Sequence, residues 1–305
     1  YALGDLCLAI AWNKTWSGSV QQFVEEREVL VAHLNDAGKA DLILNQWPLP
    51  LLNPLLDKAG VDLDGTAQGA VQVTLEEGLP VALGRIELDI PDLHVEATGG
   101  KHSINGALQL EPGFMGMDQA LVTDQDGDDA RLNLSILHED YAQWNYDLGI
   151  EIGDAPFKVM DLPPGADRLF HGTVFATGQL DVSGDESGVA IETALRSEAG
   201  TRFTLPLDAL EGTDIPSGIQ FVGGQSPPSG DANAQPFDLS LSLGIEVTPD
   251  AELALVLDGR AGERVDGRAS GMLEIAQTAA LPLTVQGGLN IVEGQYRFSL
   301  RDLFT

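Results

Sequence analysis

The sequence predicts an all-β protein built from a repetitive antiparallel sheet, and three observations carry that prediction. Apolar side chains fall on alternate positions over long stretches. Glycine is abundant, at 35 residues in a chain of 305, while helical patterns are few. One strand pattern also recurs along the chain. Alternation of this kind marks strands with one covered face and one wet face.

The elements follow in order. "LCLAIAW", residues 6 to 12, alternates and is far shorter than the roughly 20 apolar residues of a membrane-crossing helix. "LPLLNPLLDKAG", residues 49 to 60, predicts a short apolar helix closed by Gly60. Leu132, Leu134 and Ile136 alternate, as do Tyr146, Leu148, Ile150 and Ile152. "GGQSPPSGDANAQP", residues 223 to 236, has no apolar anchor and predicts a flexible loop. In "FDLSLSLGIEV", residues 237 to 247, Phe237, Leu239, Leu241, Leu243, Ile245 and Val247 share one face. "TPD" is then expected to turn the chain, and "AELALVLD" to return with Leu253, Leu255 and Leu257. "GRAGE" turns it again into a strand carrying Leu273 and Ile275. Leu283, Val285, Leu289 and Ile291 follow, then Tyr296, Phe298 and Leu300. The whole reads as an antiparallel meander in three units, 1–110, 111–222 and 237–305, the last two joined by the loop.

The recurring pattern is "DGTAQGAVQV" at 64–73, "HGTVFATGQLDV" at 171–182 and "DGRASGMLEI" at 266–275. Ala67, Ala176 and Ala269 align, as do Gly69, Gly178 and Gly271. Small residues on alternate positions of one face permit sharp bending and close backbone approach. These six positions are therefore expected to mark the line along which the sheet folds. Copies about a hundred residues apart indicate stacked sheet units.

Such strands set a physical problem. Burying one large apolar side chain is worth roughly 1.5–3 kcal/mol, so residues 237 to 247 carry on the order of 10 kcal/mol on one face. Periodicity leaves three covers open: a second sheet, as in a closed sandwich, a partner protein, or a lipid lying in a groove.

Composition narrows the partners. The formal charge is −31, from 47 acidic and 16 basic residues, which repels phosphate backbones and argues against nucleic acid. The single cysteine, Cys7, excludes an internal disulfide framework. The chain opens on Tyr1 and stops on Thr305 directly after a strand pattern, and is expected to be part of something longer.

No catalytic, cofactor or metal constellation stands out. Asp124, Asp126, Asp128 and Asp129 cluster around Gly127, but their spacing departs from the EF-hand loop and predicts an acidic hairpin turn. His33, His94, His102, His138 and His171 are scattered without metal-ligand spacing. "GGLNIVEG" lacks a P-loop lysine, and no GxSxG occurs. Trp12, Trp16, Trp47 and Trp144 read as sheet or rim packing.

The last seventy residues carry a resemblance. "VTPDAE" before an apolar strand, "DGRASGMLEI" after a charged turn, and "GGLNIVEGQYRFSL" resemble the C-terminal region of the TamB (translocation and assembly module) family. "FHGTVFATGQLDVSG", "GTRFTLPL" and "LNQWPLPLLNPLL" are similar to the same family. The resemblance implies a sheet curled into an elongated U-shaped hydrophobic groove, the β-taco, in a cell envelope with two membranes. It implies a parent protein anchored in the inner membrane, crossing the periplasm, and conducting phospholipid acyl chains to the outer membrane. It also implies an Omp85-type outer-membrane barrel partner, TamA or BamA-like, and a role in outer-membrane protein assembly. No enzymatic activity and no cofactor are expected. The groove wall is expected to comprise the apolar positions named above from Leu239 to Leu300. The alternative is a closed acidic β-sandwich adhesin or assembly scaffold with calcium as a candidate ligand.

Overall fold

The computed structural model describes residues 5–12, 16–34, 39–57, 60–76, 79–165, 170–206, 238–258, 262–278 and 281–297. The strands begin with β1 Asp5–Trp12, β2 Trp16–Val24, β3 Arg27–Leu34 and β4 Lys39–Pro48. A 3-10 turn, Leu49–Leu52, and a single α-turn, α1 Asn53–Leu56, intervene. Next come β5 Val61–Glu76, β6 Leu79–Val95, β7 Gly100–Glu111, β8 Phe114–Asp124, β9 Asp129–Glu139 and β10 Ala142–Leu162. The remainder is β11 His171–Asp185, β12 Gly188–Ser197, β13 Arg202–Pro206, β14 Asp238–Val247, β15 Glu252–Asp258, β16 Glu263–Thr278 and β17 Leu281–Arg297. All belong to one sheet.

From β1 to β11 each strand pairs antiparallel with the next, as the meander reading predicts. The pattern then changes. β12 pairs with β14, and β13 with β15, in parallel. β16 pairs antiparallel with β14 through its second half and with β15 through its first, and β17 completes the sheet.

This corrects the expectation for "TPD". Residues 248–250 do not reverse the chain, because β14 and β15 run in the same direction along one neighbour, β16. The reason is local bonding. Pro249 has no N–H to give to a ladder, and Thr248 is bonded sideways. Its N–H donates to Ser197 Oγ at 2.9 Å and its hydroxyl to the Ser197 carbonyl at 2.8 Å. Glu252 N–H donates to the Thr201 carbonyl at 2.9 Å, and Ala251 is fully buried. The kink at 248–251 thus stacks on a matching kink at 198–201, and both strands continue past it.

Cross-strand partners on one face form long, mostly apolar rows. One runs Leu30, Leu44, Gly69, Ile86, Leu108, Met117, Leu134, Leu148, Val182, Ile191, Leu241. A second runs Ala120, Leu132, Ile150, Leu180, Thr193, Leu243, Ile275 and on to the Val285 backbone.

A line of register breaks runs beside these rows. It passes Leu44/Trp47 in β4, Asp64/Thr66 in β5, Ile90/Leu93 in β6, Asn105/Leu108 in β7 and Met117/Ala120 in β8. It continues at Ile152/Phe157 in β10, at the stacked kinks, and at Arg268/Ala269 in β16. Bulges bend a strand and increase its twist, so the line divides the sheet into two arms. Side chains of both arms meet across it. Leu63 and Leu93 from one arm and Leu44 and Ile86 from the other pack on the cluster Leu49, Ala67 and Ile90. The expected helix over 49–60 is real but shorter, ending at Leu56, with Gly60 at φ 66 in the turn that follows.

The "DQDGDD" segment is the β8–β9 hairpin turn, and the hairpin stops at this line. Asp124 is the reason. One of its carboxylate oxygens accepts from the N–H groups of Asp126, Gly127 and Asp128 at 2.8, 3.0 and 3.0 Å. The other accepts from Lys158 N–H at 2.7 Å, tying the turn to β10. Beyond the hairpin β7 and β10 come together directly. Asp161 N–H donates to the Thr98 carbonyl at 2.9 Å, and His102 stacks on Phe157 at 5.3 Å.

Candidate functional site

Among the described residues the apolar face is an extended feature that the fold builds from many strands at once. Its covering is graded. Around the bend Ala120, Leu132 and Met117 are 2%, 5% and 8% exposed, packed among Val122, Ile152 and Phe157. At the ends of the sheet the same face is bare. Leu6 and Leu8 in β1 are 70% and 64% exposed, and Ile291 in β17 is 65%. Among the described residues no large side chain is buried to below 2%. The middle of the sheet therefore covers itself, and its flanks do not.

The expected wall residues fall on this face as follows. Leu241 and Val247 are buried, while Leu239, Leu243 and Ile245 are half-buried in β14. Leu253 and Leu255 are half-buried in β15, and Leu257 at its end is exposed. Leu273 and Ile275 pair with Ile245 and Leu243. Leu289 is half-buried, and Tyr296 is exposed at the edge. For Leu283 and Val285 only the backbone in β17 is described, and Phe298 and Leu300 lie outside the described residues. The sequence reading left out Val189, Ile191 and Leu195 of β12, which pair with Leu239, Leu241 and Ile245 and extend the wall. Their alternation in "GVAIETALRS" was the available signal.

The small residues of the repeat sit beside the line of breaks. Ala67, Ala176 and Ala269 are 3%, 1% and 5% exposed. Ala176 lies opposite Phe157, just past the break in β10. A Cβ on Gly69, Gly178 or Gly271 would lie 2.2, 2.1 or 1.9 Å from a carbonyl oxygen of the neighbouring strand, so the backbones approach as only glycine allows.

One polar atom interrupts the wall. Thr193 Oγ1, between Leu180 and Leu243, is buried without a hydrogen-bond partner.

The opposite face is acidic. Asp147, Glu151, Asp181, Glu192 and Glu274 are all exposed there. A surface depression of about 470 Å³ on this side is lined by Asp118, Asn133, Asp147, Asp181 and Glu192 together with residues of the apolar rows such as Leu134 and Leu148. Local ion pairs tune a few groups. Lys158 Nζ sits 2.7 Å from Asp126, whose hydrogen bond raises the ammonium pKa against the opposing effect of burial. The Arg264 guanidinium grips Asp266 and holds its carboxyl below the usual range.

The other sequence candidates are dispersed. His94 Nδ1 meets the Gly100 carbonyl and His102 Nε2 the Lys158 carbonyl. His138 stacks with Tyr141 and Trp144 at the β9–β10 turn, and Trp47 donates to Gln22. Trp12 and Trp16 are register partners closing β1–β2, His33 is exposed, and His171 pairs with Thr204. Cys7 is exposed. Among the described residues no group of three or more His, Cys, Asp or Glu side chains is placed to hold a metal ion, and no helix is long and apolar enough to cross a membrane.

Comparison with curated proteins and with solved structures finds no match to this chain. The family model of the TamB C-terminal domain does match, over residues 118–304. That span holds the stacked kinks, the parallel seam and the β14–β17 flank, and it is well over half of the chain. This all-β chain belongs to the TamB family of bacterial envelope proteins.

Proposed function

We propose that this chain is one stretch of a non-enzymatic, hydrocarbon-binding wall, with its apolar face lining an elongated U-shaped groove for phospholipid acyl chains. The observation that carries the reading is the continuous apolar face that is covered at the bend and bare toward both ends. Ala67, Gly69, Ala176, Gly178, Ala269 and Gly271 would let the sheet fold there without side chains blocking the trough. In a closed sandwich the covering would run from end to end. Here it thins from β14, where Leu241 and Val247 are still buried, to β17, where Ile291 is bare.

Dimensions and energies fit. Strands lie about 4.8 Å apart, so the four steps from β11 through β12, β14 and β16 to β17 give a wall of roughly 19 Å. One leaflet of a bilayer has about 15 Å of hydrocarbon, half of the usual core. Each methylene laid on such a wall gains about 0.8 kcal/mol. A lining of leucine, isoleucine and valine offers few oriented polar groups, so a tail is held without being fixed at one point. That suits transfer between membranes better than storage.

The family points to the setting. On this reading the parent protein is anchored in the inner membrane and spans the periplasm. It would work with an Omp85-type barrel, TamA or BamA-like, in building the outer membrane. The test is substitution on the half-buried wall of β14 and β15. Leu243→Asp or Leu255→Asp is expected to abolish labelling by a photoreactive phospholipid and block transfer, with the circular dichroism spectrum unchanged. Undiminished labelling in both folded variants would refute the proposal.

A further inference from the structure

The segment Leu49–Leu56 already sits on part of the apolar face. Leu49 is 4% exposed and lies against Ala67 and Ile90, and Leu52 packs on the same cluster. Their neighbours come from both arms, Leu63 and Leu93 on one side and Leu44 and Ile86 on the other. The segment therefore fills the angle between the arms, where a ligand lying along the bend would have to pass.

Its own chemistry does not explain a helix here. One 3-10 turn and one α-turn are too short to persist alone, and Pro50 and Pro54 remove two backbone donors. The segment is held from outside. Asn53 takes the place of a ladder residue beside β5. Its Nδ2 donates to the Leu63 carbonyl at 3.1 Å, and its Oδ1 accepts from Leu63 N–H at 3.2 Å. The Asp62 carboxylate also accepts from Asn53 Nδ2. One side chain thus clasps a greasy loop onto a strand edge, while Leu55 stays 76% exposed.

We infer that Leu49–Leu56 is an internal plug: it occupies the apolar face around Ala67 of β5 and Ile90 of β6, and keeps an acyl chain lying on the flank from β11 to β17 out of the angle between the arms there. This rests on the hydrocarbon-wall reading above. The plug is a sequence-local device, since its leucines and its clasp lie within eight residues. It makes this stretch of wall a dead end on the β5 side, so a tail in the flank leaves by the β17 side.

The experiment uses phosphatidylethanolamine vesicles carrying a phosphatidylethanolamine with a diazirine in its acyl chain, with adducts mapped by peptide mass spectrometry. In the unaltered protein adducts are expected on residues 171–197 and 238–297 and not on 61–67 or 86–95. Leu49→Ala with Leu52→Ala is expected to bring adducts onto 61–67 and 86–95, at least fivefold above background. If that pair of changes prevents folding, Asn53→Ala alone releases the clasp and should give the same gain, with faster hydrogen exchange at the Leu63 amide. Equal labelling of 61–67 and 86–95 in the unaltered protein, or no gain in a folded variant, overturns the plug and leaves the wall standing. No adduct anywhere overturns both.

Discussion

Asp124→Ala tests how the bend is held. The side chain is 7% exposed and accepts four backbone N–H groups, three from its own turn and one from Lys158 on β10. Alanine removes all four acceptors. The turn amides lie among exposed residues and can be rehydrated, so most of their cost is recovered. Lys158 N–H lies deeper, and a buried donor left unpaired costs roughly 1–3 kcal/mol. Adding part of the turn, the loss should be about 3 kcal/mol. Asp126→Ala removes only the half-exposed pair with Lys158 Nζ, worth about 0–1 kcal/mol.

Urea denaturation of the two variants, each with calcium and with chelator, measures the difference. The expected result is a large fall in midpoint for Asp124→Ala, a small one for Asp126→Ala, and no effect of calcium on either. The opposite pattern would refute the reasoning. Equal losses in the two variants, with calcium stabilising the parent protein, would mean that the carboxylates act together as metal ligands.

Two further substitutions probe the wall and the bend. Thr193→Val replaces an unpartnered buried hydroxyl by a methyl of the same shape, and should raise stability by roughly 1 kcal/mol in the same denaturation assay; a fall would mean that the hydroxyl has a partner. Ala176→Leu puts a large side chain where 1% of the alanine is exposed, and should cost about 1–3 kcal/mol by overpacking; a neutral result would mean that the bend has room to spare.

Much of the fold was legible because it is local. Alternation in residues 132–136, 146–152 and 237–247 names strands and their faces without knowledge of neighbours, and the matching Ala and Gly positions of the repeat are visible by eye. What was not legible depends on partners distant in sequence. Nothing in "VTPDA" reveals that Thr248 bonds Ser197 rather than closing a hairpin. The parallel seam between β12 and β14 joins segments some fifty residues apart. In "GDAPF", residues 153–157, five residues of β10 span what two of β11 span, and alternation alone cannot announce that. The clasp of Asn53 is equally silent, because an asparagine before a proline reads as turn chemistry.

Charge opposes, at low salt, the joining of such a sheet to a copy of itself. The exposed acids of the outer face, among them Asp147, Glu151, Asp181 and Glu192, belong to a chain of net charge −31. Two sheets packed face to face lie about 10 Å apart, and their outer acids, pointing away from the joint, roughly 20 Å apart, which is about two Debye lengths at 0.1 M salt but less than one at 0.01 M. Each sheet's outer acids would then repel those of the other at low salt, and the repulsion there opposes the gain from joining two leucine walls. A hydrocarbon tail carries no charge and meets no such opposition. On the proposed reading the acidic outer face and the apolar inner face act together: at low salt one opposes a second copy of the sheet, and the other rewards the lipid tail.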